Sequence, residues 1–105
     1  MSAHIMIFTA CPENHAALIA TALVEEKLAA CVNMVAGVRS VYYWHNQIDT
    51  ATETLLIIKA AAYHYEKIEE RLRTLHPYEL PEIVAVPIEH GYKPYLDWLQ
   101  GPARD

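Results

Sequence analysis

Apolar residues recur along this chain in two distinct periods. The runs HIMIFTA (residues 4–10), TLLIIKA (54–60) and EIVAVPI (82–88) are short and dense, the pattern of strands buried within a sheet. In ENHAALIATALVEEKLAA (13–30), Ala17, Ala20, Val24 and Leu28 recur at helical spacing, while Thr21, Glu25 and Glu26 take the other side. Pro12 suits the start of that helix, and Glu13 complements its dipole. YHYEKIEERLRTLH (63–76) predicts a second helix, with Tyr65, Ile68, Leu72 and Leu75 as its apolar stripe. Glu69 and Arg73 form an i,i+4 pair on its surface, and Pro77 stops it. Between the helices, VNMVAGVRSVYYWHNQ (32–47) reads as extended, with Gly37 as a bulge or bend. NQIDTATE (46–53) then supplies turn residues before the next strand. Pro87 cannot donate to a ladder, which puts the last strand at a sheet edge or ends it there. In GYKPYLDWLQG (91–101), Tyr95, Trp98 and Leu99 are spaced to dock a short helical turn.

The predicted order is therefore β-α-β-β-α-β plus a C-terminal turn. With a hairpin joining the middle strands and right-handed crossovers, this is an α+β ferredoxin-like fold. Two helices then cover one face of an antiparallel sheet. A chain of 105 residues makes it one domain, residues 1–105.

SVYYWHNQ (40–47) does not fit a sheet with one wet face. Successive strand side chains point to opposite faces, so Tyr43 joins Val41 and His45 while Tyr42 joins Trp44. Leu55 and Ile57 likewise oppose Leu56 and Ile58. Two helices cover only one set. A bare apolar face of several hundred Å² exceeds what a monomer usually shows to water, so a second subunit is expected to cover it.

Charge and composition exclude some classes of function. A net charge of −5, with scattered Lys and Arg, gives no basic face for nucleic acid. No apolar stretch reaches the roughly 20 residues of a membrane span. The opening MSAHIMIFTACPEN has no basic n-region, which predicts a cytoplasmic protein without a secretory signal. In that compartment Cys11 and Cys31 are expected as free thiols.

Five segments, EEKLAACVN, VYYWHNQI, LLIIKA, LHPYELPEIVAVPIEHG and YLDWL, resemble the CutA divalent-cation tolerance family in order and spacing. The resemblance covers residues 5 to 99. It implies a ferredoxin-like subunit in a tight homotrimer, with sheets facing inward and long hairpins reaching onto neighbours, similar to P-II signalling proteins. It also implies a link to tolerance of divalent metal ions, copper above all.

The residues themselves offer two candidate sites. For metal, six His and two Cys are present, with no i,i+4 His pair on a helix and no C-x-x-C. Cys11 lies beside a helix N-terminus, where a thiolate is favoured and suits copper. His76 and His90 sit at element ends where separate segments converge. These three form the candidate metal set, drawn from distant segments or from different subunits. Each also has an ordinary structural reading, as a junction residue or a loop cap. Cys31 reads as a buried hydrophobe, His45 as a tip or subunit-seam residue, and His4, His15 and His64 as exposed. The rival site is a ligand cleft, in which Lys59 reaches an anionic group and Tyr43, Trp44, Tyr78 and Trp98 supply stacking walls. The same aromatics also read as core.

Catalysis has little support. Three glycines make no phosphate loop, no nucleophile motif is present, and Glu79 and Glu82 read as solvated carboxylates. The expectation is a non-enzymatic homotrimer for divalent metal tolerance and response, with copper as a candidate direct ligand. The alternative is a P-II-like sensor trimer that takes a small anionic ligand between subunits and signals through a protein partner.

Overall fold

The computed structural model describes residues 2–101. Four strands, β1 (His4–Cys11), β2 (Cys31–Trp44), β3 (Gln47–Ala61) and β4 (Val84–Pro87), form one sheet in the order β2-β3-β1-β4. Every neighbouring pair is antiparallel. Three α-helices, α1 (Glu13–Glu25), α2 (Tyr65–Leu75) and α3 (Lys93–Gln100), complete an α+β fold, with a 3-10 turn (Ala62–His64) leading into α2. β4 is an edge strand, as Pro87 requires.

Strand alternation divides the sheet into two unlike faces. Ile7, Leu56 and Ile58 point to one side, where Ile19 and Leu23 of α1 and Ile68 and Leu72 of α2 meet them. All seven side chains are fully buried. Removing each from water contributes roughly 1.5–3 kcal/mol, so this layer holds the subunit together. The other face carries Phe8, Val35, Leu55, Ile57, Val84 and Val86, placed side by side by the strand register. Among the described residues neither α1 nor α2 reaches it. α3 lies toward its far end, anchored by buried Leu99, with Lys59 Nζ 5.8 Å from the centroid of the Tyr95 ring.

Several expectations need correction. The buried side of α1 is Ala16, Ile19, Ala20 and Leu23, not the stripe through Ala17 and Val24, both of which are exposed. The helix is also shorter than its periodicity suggests. Lys27 adopts φ 61°, and its N–H bonds to Val24 O while that of Leu28 bonds to Leu23 O, both at 3.0 Å. That is a Schellman stop with lysine in the place where glycine is usual. The hairpin turn is the pair His45–Asn46, both at positive φ, and not the segment 46–53. Positive φ at both central residues is the type I′ pattern that matches strand twist. Residues 47–53 accordingly belong to β3. On α2 the apolar stripe is as expected, with Ile68 and Leu72 buried and Tyr65 and Leu75 packed at its margin. Arg71 there pairs with Glu26, the cap residue that follows α1, at 2.8 Å, whereas no Glu69–Arg73 bridge is among the described ion pairs. Tyr95 and Trp98 stack on each other at 5.6 Å and stay partly exposed, so of the three only Leu99 is buried.

Candidate functional site

Gly37 decides which side chains share a face in the outer hairpin. Between Val35, opposite Leu55, and Val38, opposite Glu53, β2 holds two residues where β3 holds one. Gly37 takes φ 77° there, the backbone of a bulge and one that a side chain disfavours. The extra residue shifts the alternation, so Val38, Ser40, Tyr42 and Trp44 continue the open face that Val35 begins. Val41 and Tyr43 turn to the opposite side, across from Thr50 and Ile48.

Ser40, Tyr42 and Trp44 thereby meet the loop that follows α2. Together with Ala10, Glu53 and residues 77–84 they line an open groove of about 1080 Å³. Glu53 is its central polar group, only 7% exposed. Ser40 Oγ donates to its Oε1 at 2.5 Å, and Tyr78 Oη donates to its Oε2 at 2.7 Å. Burial, and then the Glu53 carboxylate, push the Tyr78 hydroxyl well above its ordinary pKa, so it remains a donor. His76 anchors the loop from below. Its Nε2 lies 2.8 Å from the Ala10 carbonyl oxygen and so carries the hydrogen, while its Nδ1 accepts the Tyr78 N–H at 3.2 Å. The neutral ring thus joins β1 to the loop.

This geometry separates the residues named from sequence. Cys11 is fully buried, and burial together with Glu53 pushes its thiol up, against the expected thiolate. Both ring nitrogens of His76 are engaged, and His90 lies exposed beyond β4. Cys11, His76 and His90 are not gathered into one centre. Among the described residues no group of three His, Cys, Asp or Glu side chains is placed to hold a metal ion. Of the cleft candidates, Trp44 and Tyr78 do line the groove. Tyr43 faces away from it, and Lys59 stands near α3, where Trp98 stacks on Tyr95. His45 forms the hairpin tip, Cys31 is only partly buried, and His4, His15 and His64 are half-buried. Ser40 and Glu53 were not among the site residues expected from the sequence, and Tyr42 was placed only on the face of Trp44. Alternation back from Ile57 and Leu55 would have placed Glu53 on the open face.

The charged residues in the groove lining are Glu53, Glu79 and Glu82, with no Lys, Arg or His among them. The groove therefore repels a small anion, and its walls of Tyr42, Trp44 and Tyr78 suit a cation.

Comparison with known proteins fits the whole of this architecture. The model of the CutA1 divalent ion tolerance protein family matches residues 5–101. This chain belongs to the CutA1 family. The divalent-cation tolerance protein CutA of Thermus thermophilus is 47% identical over 96 residues, covering 91% of this chain and 93% of that protein. The crystal structure of CutA from Xylella fastidiosa superposes with a TM-score of 0.91 at 42% identity, covering 93% of this chain and 95% of that one. A periplasmic divalent cation tolerance protein CutA from Archaeoglobus fulgidus gives 0.88 at 37% identity, covering 91% of this chain and 94% of that one. The chain spans 52% to 62% of the plant and vertebrate CutA relatives it also matches. Among the described residues of this CutA1 chain, no helix is long and apolar enough to cross a membrane.

Proposed function

We propose that this chain acts in divalent-cation tolerance as a cytoplasmic homotrimer of ferredoxin-like subunits, without catalysis of its own. The observation that carries the tolerance role is the near-complete match to the Thermus tolerance protein. The trimer is supported by the open face, where Phe8, Leu55, Ile57, Val84 and Val86 lie together and Val84 and Val86 are exposed. The outer hairpin adds Val41 at 71% exposure and Ile48 at 70%, more apolar surface than a monomer keeps in water.

Copper is the proposed principal metal, bound at a site completed only in the assembly. One chain offers a deeply buried thiol in Cys11 and a committed imidazole in His76, so donors from adjacent copies are needed. The all-glutamate charge of the groove gives no support to the small-anion sensor alternative.

Sedimentation at micromolar concentration, combined with equilibrium dialysis against Cu(I) and Zn(II), tests this. The expected result is a three-chain species that retains copper, with both lost together in Trp44→Glu. A well-folded monomer, or copper bound equally well by dissociated chains, would overturn it.

A further inference from the structure

Among the described residues, Asp49, Glu53 and Lys59 share the open face of β3 and none is in an ion pair; Glu53 and Lys59 are the opposite charges that flank its apolar stretch. Glu53 is almost wholly buried, yet its described contacts are the neutral hydroxyls of Ser40 and Tyr78. Among the described residues the ion pairs are Arg71–Glu26 and Lys93–Asp97, and neither includes it. Lys59 is in the same position with the sign reversed. Its cross-strand neighbours are Met6 and Cys31, and its described contact is the face of the Tyr95 ring.

The two cannot pair within one chain. They stand six positions apart along the strand, roughly 20 Å at the usual rise. Between them lie Leu55 and Ile57, part of the apolar surface that calls for a cover. Covering that face dehydrates both charges. An isolated buried charge costs several kcal/mol, whereas a hydrogen-bonded pair recovers much of that cost.

We propose that a second copy of this chain completes the Glu53 site, with Lys59 of one copy docking against Glu53 of the next. The inference rests on the trimer reading and adds its polarity. The carboxylate is already oriented by Ser40 and Tyr78, and it has acceptor capacity left for an ammonium. Tyr42, Trp44 and Tyr78 wall the approach and suit a cation's apolar stem as well as its charge. Each copy gives a lysine to one neighbour and receives one from the other. Such a head-to-tail contact closes into a ring when the rotation allows.

A double-mutant cycle on the assembled protein tests the pairing. Lys59→Met and Glu53→Gln keep shape and, for Gln, the hydroxyl contacts. Each is expected to weaken assembly about tenfold or more in sedimentation, with the double variant no weaker than the worse single one. The charge swap Lys59→Glu with Glu53→Lys should assemble better than either change alone. If the swap fails to fold, the neutral cycle still decides. Additive losses in the cycle would overturn the pairing. So would a silent Lys59→Met beside a damaging Glu53→Gln, which would hand the groove to a free cation. A parent protein that is monomeric at the same concentration would instead fail the trimer reading itself.

Discussion

The two faces of the sheet are built from the same strands and satisfied in different ways. On one, Ile7, Leu56 and Ile58 meet Ile19, Leu23, Ile68 and Leu72, and the chain completes its own core. On the other, Phe8, Ile57, Val84 and Val86 lie in register and wait for a cover, and the outer hairpin extends past both helices. The 45 Å long axis, against 25 and 23 Å for the others, reflects that projection. Alternation makes both faces apolar, but only the helices decide which one the subunit itself can bury. Stability of the subunit and stability of the assembly are thus encoded on opposite sides of one sheet.

The sharpest break of this contrast sets a core truncation against a hairpin charge. Leu72→Ala removes a fully buried side chain, so denaturant unfolding should show a loss of about 2–5 kcal/mol even in dissociated chains. Trp44→Glu changes a residue that is 37% exposed in the single chain, so it should spare the dissociated subunit. Its effect should appear as a melting temperature that depends on protein concentration. If both variants lose stability equally at all concentrations, the division between the faces is wrong.

Gly37→Ala sharpens the comparison at its hinge. A methyl group there meets nothing within 4 Å, so crowding is removed from consideration. What remains is the left-handed backbone at φ 77°, which costs a side chain about 1–2 kcal/mol. A loss of that size in equilibrium unfolding is expected. No loss would mean that the bulge relaxes without consequence for the hairpin.

The smallest effect belongs to the exposed bridge between Glu26 and Arg71. The hydrogen bond from Arg71, with its charge, holds the Glu26 carboxyl below its ordinary pKa. A depressed carboxylate adds stability above its unfolded pKa and loses it as pH falls through the native value. Glu26→Gln should therefore melt slightly lower than the parent at neutral pH and coincide with it in acid. Parallel pH–melting curves would remove the bridge from the account.

The element order was legible because dense strand runs and the α2 stripe each carry a strong period. α1 was misaligned because alanines occupy several of its sides, so Ala17 and Val24 looked as apolar as Ala16 and Leu23. Its end was hidden because Lys27, not glycine, takes the left-handed turn. The hairpin turn was misplaced because the first half of β3 stands largely clear of the helices, and a polar strand in water reads like a loop. The groove was the least legible part. Ser40, Glu53 and Tyr78 are distant in sequence, and the bulge shifts the alternation that would have linked them. Trp44 and Tyr78 were recognisable as aromatic walls, but no local motif ties either to Glu53.

The hairpin also has a rule of length. Residues beyond Gly37 keep their faces only while the count between bulge and tip preserves its parity. One residue added to each strand within that stretch would turn Trp44 away from the groove and Tyr43 toward it. Two added to each would leave every face as it is and lengthen the arm by roughly 7 Å. The arm can therefore be resized only in steps of about 7 Å, and in any sequence built on this plan the span from bulge to tip should be quantised in pairs.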